Sequence, residues 1–571
     1  MKCAIYFLPL QCFFKQHIME HIPSFNELIE KSIIEHWDLD ALTDYKGKTL
    51  QYHDVARKIE KIHIMYEASG IKKGDKIAIC GRNSSMWAVS FFATLTYGAV
   101  AVPILHEFTP EQIHNIVNHS EAKLLFVGDV IATEIDATKM PDLEGIIYLP
   151  DLSLSLSRTE KLTYAREHLN EMFGRKYPKY FRQEHVKYYR EQSPDELALI
   201  NYTSGTTGRS KGVMIPYRAM WSNADFASNA LGKNLKPGDN IISILPMAHM
   251  YGMAFELIFE FITGAHIFYL TRMPSPAIIA QALADVKPTL MIAVPLIIEK
   301  IIRKRVFPKI QTSRMKLLLN TPVINKKVKE KICEQVVAAF GGNIYQVIIG
   351  GAALNREIET FLKEINFPFT VGYGATECAP IIGYSDWKEF VPTSCGKPAL
   401  HQEVRIDSID PENVPGEIIT RGPNVLLGYY KNEEATREVI DADGWFHTGD
   451  LGTMDAEQNI FIKGRSKNML LGSNGQNIYP EEIEDKLNSM PLVSECLVVQ
   501  REEKLIGLVF PDLEEAKELG LNDADLRNLM DESKKQLNEI MPAYYKLADI
   551  EIMEEEFVKT PKRSIKRYLY K

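Results

Sequence analysis

From about residue 50 to residue 430 the chain alternates between two textures, and that alternation restricts its fold more than any other feature. Short apolar runs such as KIAICGR (76–82), AKLLFVG (122–128), TLMIAVP (289–295), YQVIIGG (345–351) and FTVGYG (369–374) read as buried strands. Between the last three lie segments of helical periodicity, Lys326–Phe340 and Asn355–Ile365, the second opened by an asparagine cap with acidic residues just inside it. Strands alternating with helices predict parallel sheets covered by helices, an α/β fold whose ligands bind beyond the carboxyl ends of the strands. The Gly-rich stretches 203–212, 350–352 and 372–375 all follow such strands, so three loops converge on one cleft. The chain has 571 residues. At about 100–200 residues per domain that allows three to five structural units.

The first of those loops sits in NYTSGTTGRSKGVMIPY (201–217), where glycines, hydroxyls and Lys211 crowd together. The common nucleotide loop places its lysine directly after a glycine and before Ser or Thr. Here Lys211 follows Ser210 and precedes Gly212, so that motif is absent. The physics still points to an anion site. Glycines let successive N–H groups converge on one oxyanion, and hydroxyls and an ammonium add donors. A flexible linker is the plainer reading, but linkers do not run from an apolar strand (197–202) straight into an amphipathic segment.

Other stretches bound the class. A formal net charge of −9 argues against a general nucleic-acid binder. The seven cysteines are scattered without a C-x-x-C pair, which points to a reducing cytoplasm rather than a disulfide framework or a zinc site. Residues 1–18 are expected to be a leader, either untranslated, with Met19 as the start, or disordered. Met86–Leu105 carries no charge over twenty residues, but Gly98 and Pro103 break it into a buried helix and a buried strand. No transmembrane segment is expected. The interleaved basic and aromatic residues of 175–190 are expected to form an exposed connector, which leaves peripheral membrane contact open. Past residue 460 the texture changes to a helix opened by Pro480, short strands at 494–500 and 504–510, and a helix at about 523–540, which is enough for a small separate α+β unit.

In order along the chain come Tyr202–Lys211, LPMAHMYGM (245–253), GGAAL (350–354), VGYGATE (371–377), WFHTGD (445–450) and IKGRSKNMLLGSNGQNIYPEEIE (462–484). With this order and spacing the sequence resembles the adenylate-forming superfamily of acyl-CoA synthetases, peptide-synthetase adenylation domains and luciferase. Within it the chain looks most like a long-chain fatty-acid–CoA ligase. The resemblance implies a large N-terminal α/β AMP-binding domain at 19–464, a hinge at 465–467 and a smaller mobile α+β lid at 468–571. It implies ATP, Mg²⁺ and CoA as cofactor and co-substrates, and a fatty acid as substrate. The acid is adenylated with loss of pyrophosphate and then passed to CoA.

The same resemblance assigns roles. Thr203, Ser204, Gly205, Thr206, Thr207, Gly208 and Lys211 handle the distal phosphates. Gly350, Gly351 and Ala352 let backbone approach the purine, Tyr373 lies against it, and Gly374, Ala375 and Thr376 complete that side. Glu377 is the Mg²⁺ ligand, a hard oxygen as that ion demands. Asp450 accepts the ribose hydroxyls and Arg465 contacts ribose or phosphate. His249 lines the acyl-carboxylate site, Trp221 and the apolar run from Met253 to Ile262 are expected to wall the acyl pocket, Lys467 is the hinge, and Gly472 and Gly475 border the CoA channel.

The C-terminus departs from the pattern. The family's terminal lysine aligns with Ser564, and Lys562 or Lys566 is expected to take its place. Two other readings stand beside the ligase. One keeps the adenylation of a fatty or aryl acid but hands the acyl group to a carrier-protein phosphopantetheine. The other is a catalytically dead acyl-nucleotide-binding protein, supported by Ser564 alone. Acyl chain length and oligomeric state are not legible.

Overall fold

The computed structural model describes residues 22–203, 210–271, 275–310, 322–471, 476–560 and 565–570. The expected leader (1–18), most of the phosphate loop (Ser204, Gly205, Thr206, Thr207 and Gly208), Gly472, Gly475 and Lys562 lie outside the described residues.

Two large sheets dominate. The first has eight strands. At its centre Lys76–Cys80 runs parallel to both Val100–Ile104 and Ala122–Val127, and the latter runs parallel to Gly145–Tyr148. On the other side Leu197–Thr203 lies parallel to Val100–Ile104 and then turns back antiparallel as Lys211–Pro216. The second sheet has seven strands in the order Phe369–Val371, Gln346–Ile349, Leu290–Ala293, Asn240–Ser243, His266–Tyr269, Asp40–Asp44, Thr49–Gln51. All of its pairings are parallel except the last. The central strands are buried along their whole length, as strands covered on both faces must be.

Local chemistry explains the boundaries. The charge-free stretch near residue 90 is the helix Ser85–Tyr97, started by the Ser84 hydroxyl accepting from the Trp87 N–H and stopped by Gly98 at φ +85°. The strand Val100–Ile104 follows directly. This segment is core, and among the described residues no helix is long and apolar enough to cross a membrane. The helix Arg356–Glu364 starts as its sequence suggests, with Asn355 Oδ1 accepting from the N–H groups of Glu357 and Ile358.

The 175–190 stretch differs from the expected exposed connector. Tyr177 donates to Glu60, Lys176 pairs with the same carboxylate at 2.8 Å, and Arg190 grips Glu30. Tyr180 is exposed, but Tyr177 and Phe181 pack on the core, so the segment straps the helices Phe25–Glu35 and Tyr52–Ser69 together. Acidic residues on those two helices hold the basic residues in place.

A four-stranded antiparallel sheet follows, Glu403–Asp407, Gly416–Arg421, Phe446–Met454 and Ile460–Arg465. The chain then passes through one turn of 3₁₀ helix, Ser466–Asn468, into a unit with its own core. There the hairpin Val493–Arg501/Lys504–Pro511, with Asp549–Ile552 parallel to its second strand, packs on the helices Pro480–Leu487 and Asp523–Ile540. Two contacts tie this unit back to the second sheet's loops: Asn355 Nδ2 donates to Ser489 Oγ at 2.8 Å, and Arg356 pairs with Asp485 at 2.9 Å.

Candidate active site

Three groups of residues come together beyond the strand ends. The first is built on the hairpin that carries the Gly-rich loop. Thr203 and Lys211, the two described ends of that loop, pair directly across the ladder. Gly212 is required beside them, because a Cβ there would lie 2.9 Å from Ile200 and 3.1 Å from the Tyr202 ring. Lys211 Nζ sits 4.7 Å from the centre of the Tyr429 ring, and the Tyr429 hydroxyl donates to Glu377 Oε1 at 3.0 Å. The backbone of Glu377 is fixed as well, its carbonyl accepting from Leu426 N–H at 2.8 Å.

The second group centres on Asp450, buried at 5% exposure. Its Oδ2 accepts from the Tyr373 hydroxyl at 2.7 Å, and its Oδ1 pairs with Arg465 Nε at 2.8 Å. Asp450 and Arg465 face each other across adjacent strands, which places the pair by register. Burial raises the Asp450 carboxyl above the usual range, and the Arg465 charge pulls against that rise. Gly374, next to Tyr373, admits no side chain: a Cβ would stand 2.3 Å from Pro380 O.

The third group encloses an apolar cavity of about 70 Å³. One wall is backbone, Gly350 and Gly351 together with Gly372–Thr376, so it includes Tyr373, Gly374, Ala375 and Thr376. Gly351 holds φ +88°, and a Cβ on Gly350 would press on the Tyr251 ring at 3.0 Å. His249 lines the cavity too. It caps the helical segment that begins at Met250, its Nδ1 accepting from Tyr251 N–H at 3.2 Å. Asn201, two residues before Thr203, donates to Ala248 O at 2.9 Å and so couples the phosphate-loop strand to the His249 turn.

Trp221 lies with its ring 5.1 Å from that of His401, and Met253 lies fully in the core, so neither lines this cavity. Phe226, Leu231, Tyr251 and Phe255 do, with Ile381 and Tyr384. The reason is helical phase. Tyr251 and Phe255 are four residues apart and share a face, whereas Met253, two residues on from Tyr251, points the other way. Sequence reasoning missed Tyr251 and Tyr429, whereas Phe255 lies within the expected run 253–262. Tyr251 and Phe255 belong to the stretch that also holds Met253, and counting in steps of four from Tyr251 would have separated the faces.

The remaining expected residues lie around this centre. Ala352 is exposed after Gly351. Lys467 is exposed on the 3₁₀ turn, whose Ser466 hydroxyl donates to Gly449 O, one residue before Asp450. Lys566 belongs to the C-terminal unit, with its backbone N–H on Val558 O, beside Arg567, which pairs with Glu484. The structure does not bring Lys566 into the cavity wall. Among the described residues no three His, Cys, Asp or Glu side chains cluster as a metal cage. Glu377 alone still suits Mg²⁺, which is commonly held by one or two carboxylates with substrate phosphates and waters as its other ligands.

Comparisons with known proteins agree with this layout. The AMP-binding enzyme family model matches residues 29–430, and the AMP-binding enzyme C-terminal domain matches residues 467–570. A long-chain-fatty-acid–CoA ligase, FadD15 of Mycobacterium bovis, is 27% identical over 474 residues, covering 80% of this chain and 76% of that protein. Long chain acyl-CoA synthetase 6, peroxisomal, of Arabidopsis thaliana is 28% identical over 525 residues, covering 85% and 72%. Among solved structures, the anthranilate CoA ligase AuaEII in complex with anthranoyl-AMP superposes with a TM-score of 0.75 at 20% identity over 96% of each chain. The Mycobacterium tuberculosis fatty acyl CoA synthetase gives 0.62 at 20% identity over 96% and 97%. These structural likenesses speak for the fold, a large α/β domain with parallel sheets followed by a smaller C-terminal domain. The chain belongs to the AMP-binding enzyme family.

Proposed function

We propose that this protein activates a fatty acid with ATP and transfers it to CoA, releasing AMP and pyrophosphate. The observation that carries the reading is that Lys211 and Glu377 meet on Tyr429, while Asp450 is bonded to Tyr373 in the wall of an apolar cavity that His249 also lines. The substrate class follows the names of the relatives and the cavity wall of Phe226, Leu231, Phe255, Ile381 and Tyr384, which offers hydrocarbon contact.

In the first half-reaction a carboxylate oxygen bonds to the α-phosphorus and the bond to the pyrophosphate oxygen breaks. Two anions must approach, so positioning and charge neutralisation dominate. Thr203 and Lys211 supply donors to the distal phosphates. Asp450, already an acceptor for Tyr373 and Arg465, receives the ribose hydroxyls. Gly350 and Gly351 admit the purine against backbone. Glu377 would hold Mg²⁺, which would supply neutralisation of phosphate charge. In the second half-reaction the CoA sulfur bonds to the acyl carbon, AMP leaves, and the thiol proton is released to solvent. We place the turn between the poses at Lys467, on the short 3₁₀ helix between the two cores. The proposed units are 19–464 and 468–571, and Lys562 or Lys566 serves the adenylation pose. Cys80, Cys333, Cys378, Cys395 and Cys496 are unpaired, which favours a reducing, cytoplasmic location.

A product scan tests the reading. Purified protein is given ATP, Mg²⁺ and CoA with straight-chain acids from about C2 to C18 and a set of aryl acids, and thioesters are read by mass spectrometry. Fatty acyl-CoA together with AMP is the expected product. Adenylate without thioester until a phosphopantetheine carrier is added would favour the carrier-protein alternative. No adenylate with any acid would favour a dead nucleotide-binding protein.

A further inference from the structure

We infer that Tyr429 is a positioning residue that holds the metal-ligating carboxylate and the phosphate-loop cation at a fixed separation. The inference rests on the function proposed above. Tyr429 occupies the two-residue edge strand Gly428–Tyr429, docked antiparallel on Lys211–Pro216 with Tyr429 opposite Val213. The strand is clamped on both sides. Leu427 N–H donates to Met214 O, Tyr430 N–H donates to Gly212 O, and Tyr429 N–H donates to Thr436 Oγ1. Gly428 is needed there, because a Cβ would stand 2.7 Å from Thr436 Cγ2 at a φ of +142°.

Alternation along the strand sends neighbouring rings to different tasks. Tyr430 faces outward, with its hydroxyl on Glu121. Tyr429 is buried at 6% exposure, with its ring under Lys211 Nζ and its hydroxyl on Glu377 Oε1. Lys211 and Glu377 thus both contact this one side chain. Among the described residues neither forms an ion pair. The aromatic face takes the ammonium instead, and the phenol takes one carboxylate oxygen. One side chain thereby sets where the phosphate charge and its counter-ion are received.

Two variants separate the two grips. Y429F keeps the ring under Lys211 and deletes only the bond to Glu377. The Mg²⁺ concentration for half-maximal acid-dependent pyrophosphate exchange should then rise by about tenfold, with the ATP KM at saturating Mg²⁺ unchanged. Y429L removes both contacts and should raise the ATP KM as well. As a second measurement, Mg–ATP affinity is compared by calorimetry between E377Q and the Y429F/E377Q double variant. The hydroxyl should make no further difference once the carboxylate is gone. A wild-type Mg²⁺ dependence in Y429F, or an equal further loss in the double variant, would overturn the inference. Glu377→Ala distinguishes the two levels. Exchange that survives Glu377→Ala overturns the function proposed for the site. Exchange lost in Glu377→Ala but with an unaltered Mg²⁺ response in Y429F overturns only the role of Tyr429.

Discussion

Glu256 gives the most quantitative test of how the site is supported. It lies fully buried on the helical segment that follows His249, and its Oε2 accepts from the N–H groups of Ile244 and Leu245 at 3.0 and 2.8 Å and from Ser243 Oγ at 3.1 Å. Those three donors form the end of a central strand just before the Pro246–His249 turn. Burial pushes the Glu256 carboxyl up from 4.5 to about 8. A group raised in the folded state contributes stability that is complete below its unfolded pKa and is lost as pH climbs through the folded value. Folding stability therefore falls between pH 4.5 and about 8 because of this one group. At about 1.4 kcal/mol per pH unit, and allowing for partial ionisation near the upper end, the loss from pH 5.5 to pH 8 is about 3 kcal/mol. An unfolding entropy of about 2 cal/mol/K per residue over a unit of about 440 residues converts this to about 3 °C. Glu256→Gln presents a neutral carbonyl to the same donors and cannot ionise. Thermal melts of both proteins at pH 5.5 and pH 8 should show the wild type losing about 3 °C more than E256Q. Parallel melting curves against pH would refute the claim that this carboxyl is held neutral in the fold.

Two further substitutions probe other parts of the site. Gly374→Ala forces a Cβ to within 2.3 Å of Pro380 O, so it should cost about 1–3 kcal/mol of stability and displace Tyr373 from Asp450, read as a lowered melt and a loss of nucleotide binding by calorimetry. Lys467→Pro removes a backbone donor and fixes φ at the turn between the cores, so adenylate should still form while thioester formation stops, as single-turnover assays of each half-reaction would report. Equal loss of both half-reactions would refute the hinge.

Much of the layout was legible in the sequence because it follows from local rules. The parallel strands were visible as uninterrupted apolar runs, and the helix at residue 356 through its asparagine cap. The misreadings arose where tertiary contacts decide. Nothing local marks the 175–190 segment as a strap; Lys176 and Arg190 are held by Glu60 and Glu30, more than a hundred residues earlier. The apolar run 253–262 has two faces, and only the packed helix shows that Phe255 lines the cavity while Met253 faces the core. Tyr429 was invisible for a related reason. A Gly-Tyr-Tyr run reads as an ordinary edge strand until Lys211 and Glu377 are seen on either side of one ring. Two of the Gly-rich stretches, 350–351 and 372–375, line one cavity, as strand ends that share one edge of a parallel sheet allow.

The most direct measurement is isotope exchange between pyrophosphate and ATP, with and without a fatty acid, for the wild type, Glu377→Ala and Asp450→Ala. Acid-dependent exchange in the wild type, reduced by about 100-fold or more in both variants, is the result predicted by a single ATP held between Lys211, Glu377 and Asp450. Wild-type exchange rates in both variants would contradict it.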